Sequence, residues 1–213
     1  APSNVFGKQF PWIHPDLRVT FQVTAPEAKT VAVAGRAEDS GMNGNTPYEM
    51  TRNAEGLWTV TTDPVRPGFH YYELIIDGQR MPDPASQAFF GWARPTSGLE
   101  VPDPALDFYS VKDVPHGQLA IAWYQSKTTG QARRAYVYTP PNYANTAVRF
   151  PVLYLQHGSG ENETSWTWQG KANLILDNLI AEGKAVPMIV VMDWGYAPKP
   201  GDALSFDYRL YWQ

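Results

Sequence analysis

The segment Leu17-Arg18-Val19-Thr20-Phe21-Gln22-Val23 alternates apolar and polar residues with the two-residue period of a half-buried strand. Val31-Ala32-Val33-Ala34, Leu57-Trp58-Thr59-Val60-Thr61 and Phe69-His70-Tyr71-Tyr72-Glu73-Leu74-Ile75-Ile76 read as further strands. Clusters of Pro, Gly and Asn separate them, and Asp77-Gly78 is a dipeptide that closes tight hairpins. No helical period stands out in this half. Short strands at this spacing predict a β-sandwich over roughly 15–100, with Trp58 and Tyr72 in its core.

The pattern changes after a Pro-rich stretch at 98–107. Gln118-Leu119-Ala120-Ile121-Ala122-Trp123-Tyr124 and Ala135-Tyr136-Val137-Tyr138 predict two strands around a turn at Gly130. Residues 151–156 read as a buried strand ending in a His-Gly loop. A helix follows, with Ala172, Ile175, Leu176, Leu179 and Ile180 on one face and Gly183 as its stop. The continuously apolar run 186–192 predicts a strand covered on both faces. Strand, helix and strand then form a right-handed crossover in a parallel sheet. The resulting organisation is an arm at 1–16, a β-sandwich at 17–103, a linker at 104–112 and a second domain at 113–213.

Composition narrows the function classes. The formal charge of -4 comes with no basic block, which argues against nucleic acid as a partner. No apolar run approaches the roughly 20 residues that span a bilayer, so no membrane association is expected. With no cysteine there is no thiolate nucleophile or thiolate metal site. The histidines at 14, 70, 116 and 157 lack ligand spacing, and neither metal nor cofactor is expected. Aromatic content is high, at 8 Trp, 12 Tyr and 9 Phe. Such rings stack on sugars, although they also fill β-sheet cores.

Several runs resemble carbohydrate esterase family 1, the feruloyl and acetylxylan esterases. They are Tyr138-Thr139-Pro140-Pro141-Asn142-Tyr143, Pro151-Val152-Leu153-Tyr154-Leu155-Gln156-His157-Gly158 and Gly160-Glu161-Asn162-Glu163-Thr164-Ser165-Trp166. The helix at 172–180 and Pro187-Met188-Ile189-Val190-Val191-Met192 belong to the same resemblance. The stretches 14–21, 56–58 and 67–72 resemble the immunoglobulin-like module, of starch-branching-enzyme type, that precedes such esterases. The implied fold is an N-terminal all-β immunoglobulin-like sandwich followed by the first part of an α/β-hydrolase, a mostly parallel sheet flanked by helices. Where the family has a Pro-Asn-Gly-like run, this chain has Asp193-Trp194-Gly195.

The resemblance implies a serine carboxylic-ester hydrolase, secreted or periplasmic in a bacterium, that removes feruloyl or acetyl groups from xylan or xylo-oligosaccharide. The nucleophile elbow G-x-S-x-G occurs nowhere in the 213 residues, so the catalytic Ser, Asp/Glu and His are expected beyond Gln213. The loop Gly158-Ser159-Gly160 is the candidate oxyanion-hole element, because glycine lets backbone N–H groups approach a substrate. His157 is read as orienting that loop. Trp166, Trp168, Trp92 and Asp193 are the candidate substrate contacts. Glu161 and Glu163 suit helix N-terminal charge better than acid/base work. A siderophore (enterochelin-type) esterase shares the implied fold and domain order. A non-catalytic glycan-binding protein is the reading left if the molecule ends at Gln213.

Overall fold

Alternation becomes strands throughout the first hundred residues of the computed structural model, which describes residues 1–35, 42, 46–145, 147–198 and 200–201. The chain divides into two units, residues 1–89 with 94–104, and residues 90–93 with 105–213. Positions 202–213, the end of the expected second domain, lie outside the described residues.

The first unit is built on β1 (Trp12–Ile13), β2 (Val19–Thr24), β3 (Val31–Ala34), β4 (Tyr48–Glu49) and β5 (Thr51–Arg52), then β6 (Leu57–Thr61), β7 (Gly68–Ile76), β8 (Gln79–Met81), β9 (Ala88–Gly91) and β10 (Arg94–Val101). One sheet has the order β1-β2-β6-β5; the other runs β4-β3-β7-β10-β9, with β8 on β7. Val19 and Phe21 of β2 are fully buried with Tyr72 and Leu74 of β7. The Phe21 and Tyr72 rings meet edge to face at 5.0 Å, joining the two sheets. Each large side chain buried this way contributes about 1.5–3 kcal/mol. The polar tips are satisfied: Tyr72 donates to Asp83 at 2.8 Å and Trp58 donates to the Ala25 carbonyl at 2.9 Å. Asp77 and Gly78 both have positive φ, 48° and 81°, as a type I′ turn between β7 and β8 requires.

The second unit holds β11 (Gln118–Gln125), β12 (Ala132–Thr139), β13 (Val152–Tyr154), α1 (Ser165–Trp168), α2 (Ala172–Ala181) and β14 (Ile189–Asp193), in sheet order β11-β12-β14-β13. Tyr138, Val190 and Met192 form its core, with Leu176 of α2 packed against them. Past α2, the Gly183 N–H donates to Ile180 and the Lys184 N–H to Leu179. Gly183 has φ +68°, so its lack of a Cβ is what permits this turn-off.

The expected fold class needs correction. The structure is mostly β-sheet, and its two α-helices among the described residues have only four and ten residues. An immunoglobulin sandwich divides about seven strands into four and three. Here ten strands form sheets of four and six. The second sheet is not mostly parallel either: β11–β12 and β12–β14 are antiparallel, and only β13–β14 is parallel. Nor is β13 buried as its apolar run suggested, since Val152, Leu153 and Tyr154 are all exposed. Among the described residues β13 pairs with β14 on one side only, which leaves its apolar residues without cover.

Candidate active site

Residues 155–164 carry the chain from β13 to α1, and the candidate oxyanion loop sits in that connection. The Leu155 N–H still bonds Val191, so the loop springs from the end of the parallel pair. His157 is buried. Its Nε2 accepts from the Gly195 N–H at 3.1 Å, which puts the ring proton on Nδ1, and Nδ1 donates to the Gly158 carbonyl at 2.7 Å. The ring thereby links the loop to the segment that follows β14.

The three loop positions differ in what their N–H groups do. The Gly158 N–H donates to Glu161 Oε2 at 3.1 Å, while the Glu161 N–H returns to the Gly158 carbonyl at 3.1 Å, closing a turn. The Gly160 N–H donates to the Tyr196 hydroxyl at 2.6 Å, and its carbonyl accepts from the Ala93 N–H at 2.7 Å. Gly160 has φ +77°, and a Cβ there would lie 3.2 Å from both Ala93 N and Trp92 Cα. Glycine is therefore required on two counts, conformation and space. Between them Ser159 is exposed, and its N–H has no partner among the described residues.

The other expected contacts are placed unequally. Trp92 has left-handed backbone, φ +53°, and its main chain runs against Gly160. Trp166 donates its indole N–H to the Gln156 carbonyl at 2.7 Å, fixing it over the start of the loop. Trp168 is exposed at the end of α1, and among the described residues no hydrogen bond ties its side chain to the loop. Asp193 ends β14 and lies 3.7 Å from Arg133. Glu161 and Glu163 do not serve a helix N-terminus: Glu161 holds the Gly158 N–H, and buried Glu163 is ion-paired with Arg134.

Tyr196 escaped sequence reading, and so did the pairing of Arg133 and Arg134 with indoles. Tyr196 is nearly buried, its ring 5.3 Å from His157, and its carbonyl accepts from Arg133 at 3.1 Å. The strand period gave no signal for it because it lies past the end of β14. Away from the loop, Asp177 is buried and accepts from the Gly117 N–H at 2.8 Å, the Tyr138 hydroxyl at 2.7 Å and His116 Nδ1 at 2.8 Å. Burial, followed by that bond to Asp177, pushes the Tyr138 phenol well above its ordinary value. The same carboxylate raises the His116 pKa. Among the described residues no cluster of His, Asp or Glu has the arrangement to hold a metal, and no helix is long and apolar enough to cross a membrane.

Residues 126–203 match the Esterase family model. The chain is 44% identical over 200 residues to an endo-1,4-beta-xylanase/feruloyl esterase of Xylanibacter ruminicola, covering 91% of this chain. It spans only 27% of that relative's length, about a quarter. The enterobactin esterase of Shigella flexneri superposes with a TM-score of 0.60 at 18% identity, over 87% of this chain and 52% of that one, which is a likeness of fold. A ferulic acid esterase from Anaeromyces mucronatus is 33% identical over 47% of this chain and 37% of its own, with a TM-score of 0.41.

Proposed function

From an esterase family domain over residues 126–203, we propose that the chain is part of a serine ester hydrolase acting on plant cell-wall polysaccharide. It removes feruloyl or acetyl groups from xylan or xylo-oligosaccharide. The observation that carries this reading is the 44% identity over 91% of the chain to a xylanase/feruloyl esterase. A polysaccharide substrate lies outside the cell, which supports a secreted or periplasmic bacterial protein.

Ester hydrolysis proceeds by attack of an activated Ser on the acyl carbon, an acyl-enzyme, and its hydrolysis by water. The Ser, acid and His of that sequence are supplied by residues beyond Gln213. The exposed apolar positions Val152 and Tyr154 of β13 support such further chain, since strand faces of this kind call for cover. Within this chain the Gly158-Ser159-Gly160 loop stabilises the tetrahedral oxyanion. Its Ser159 N–H is the donor left open, because Gly158 is held by Glu161 and Gly160 by Tyr196. One such donor is worth roughly 3–4 kcal/mol of barrier. Trp92, Trp166, Trp168 and Asp193 are the residues assigned to contact the substrate in this reading.

The test is release of ferulate or acetate by the full-length protein from methyl ferulate and feruloylated or acetylated xylan, with fluorophosphonate labelling of the serine. A catecholate trilactone runs in parallel. Turnover of the trilactone with none of the xylan esters would assign a siderophore esterase. No turnover and no labelling would leave a glycan-binding role.

A further inference from the structure

A cavity of about 270 Å³ opens among residues of the second unit, lined by Trp123 of β11, Arg133 and Arg134 of β12, Asn162 and Glu163 before α1, and Trp194 after β14. We infer that it is a glycan subsite that takes one neutral pyranose ring of a polysaccharide chain. For its source of sugar this inference rests on the reading above. The site itself is built from side chains that reading does not use.

Two indoles and two guanidiniums of the lining form two pairs. Trp123 stands opposite Arg134 across the β11–β12 ladder, and the guanidinium lies 6.0 Å from the indole centroid. Arg133 lies at the same 6.0 Å from Trp194. The cations fix flat apolar faces in place. Trp123 is 68% exposed, a large cost in contact with water for a side chain whose ring is already positioned.

The charges are already spent within the protein, and this decides the ligand class. Arg134 is ion-paired with Glu163, a carboxylate only 4% exposed. Arg133 lies 3.7 Å from the Asp193 carboxylate and donates to the Trp194 and Tyr196 carbonyls. An anionic ligand would find no unpaired cation. A neutral ring with hydroxyls at its rim and C–H groups on its face fits better. Its face lies on indole, and its hydroxyls meet the guanidinium edges, the outer carboxylate oxygen and the Asn162 amide. Asn162 Oδ1 already accepts from the Thr164 N–H and hydroxyl, so its N–H groups are the ones left to donate. A feruloyl ring would stack but leave most of these polar groups unmatched, a mismatch that binding sites penalise heavily. The volume sits at the small end of ligand pockets, enough for one ring.

The experiment titrates the full chain with xylotetraose by calorimetry and tryptophan fluorescence, alongside Trp123→Ala, Trp123→Phe and Trp194→Ala. Because Trp123 is exposed, its removal leaves the fold intact, which circular dichroism checks. Trp123→Ala is expected to weaken binding about tenfold, with part of the loss restored in Trp123→Phe by its flat ring. Methyl ferulate is expected not to compete. Absence of xylotetraose binding, affinity unchanged in both alanine variants, or displacement by methyl ferulate overturns the subsite. Retained, Trp123-dependent binding in a full-length protein with no esterase activity would instead remove the catalytic reading and leave the subsite standing.

Discussion

Replacing Asp177 with Ala removes the one carboxylate shared by three donors, two from the adjacent residues His116 and Gly117 and one from Tyr138 of β12. Asp177 is 2% exposed on α2 and receives the Gly117 N–H ahead of β11, the Tyr138 hydroxyl from β12 and His116 Nδ1. A hydrogen bond to a carboxylate is worth about 1.5–3 kcal/mol. The His116 bond counts for little of this because its imidazole is solvent-accessible. The Tyr138 hydroxyl and Gly117 N–H are stranded away from water, and those two losses set the cost at about 3–5 kcal/mol. Asp177→Asn keeps the shape and one acceptor oxygen, and should cost roughly half as much. Guanidinium denaturation of the full chain, followed by tryptophan fluorescence, reads both values from midpoint and slope. A loss below about 1 kcal/mol for Asp177→Ala would mean the network is not what joins α2 to the sheet, and the argument would fail.

Further outcomes follow from the same contacts. His116 has its pKa raised chiefly by the Asp177 hydrogen bond, so its stabilisation is fully present below the unfolded-state value and is lost as pH rises through the folded one. The stability gap between wild type and Asp177→Asn should therefore be wider near about pH 5.5 than near about pH 8.5, and an equal gap in denaturation midpoints at both would refute the pairing. Tyr196→Phe removes the acceptor of the Gly160 N–H; it should lower kcat on methyl ferulate by roughly tenfold with KM little changed, and unaltered kcat would count against a positioning role. Gly98→Ala would drive a methyl into the Phe69 and Phe89 rings and should cost about 1–3 kcal/mol in thermal or chemical denaturation. Arg94→Met leaves Glu73, 1% exposed, with only Arg80 at 3.6 Å; a loss of about 2–4 kcal/mol is expected, measured by the same denaturation.

Local signals were legible in the sequence where the physics is local. Asp77-Gly78 needs only its own backbone to make a positive-φ turn, and Gly183 likewise stops α2 by its own conformation. The apolar face Ile175, Leu176, Leu179 and Ile180 predicts a helix because period alone defines it, and α2 spans Ala172–Ala181. What failed depended on neighbours. The run at 151–156 has the hydrophobicity of a central strand, yet among the described residues β13 pairs only with β14 and is exposed. Hydrophobicity reports what a strand tolerates, whereas burial depends on what packs against it. Strand direction was also illegible: the apolar run at 186–192 does not say that β14 runs antiparallel to β12 on one side and parallel to β13 on the other.

The candidate site divides along the same line. The glycines at 158 and 160 mark a loop whose backbone must come close to something, and that much is written in residue type. Which N–H of the loop is open is not, because it depends on Glu161 turning back within the loop and on Tyr196 arriving from beyond β14. These contacts matter energetically more than the glycines do. A donor useful to an oxyanion must be fixed in place before the charge develops, since reorganising it during reaction forfeits most of its benefit. His157, Glu161, Tyr196 and the Ala93 N–H each tie the loop backbone at a different atom. With its neighbours held at 158 and 160, Ser159 is exposed and its N–H has no partner among the described residues. Two of these ties come from residues inside the runs that carry the family resemblance, His157 and Glu161, and two, Tyr196 and the Ala93 N–H, from outside them.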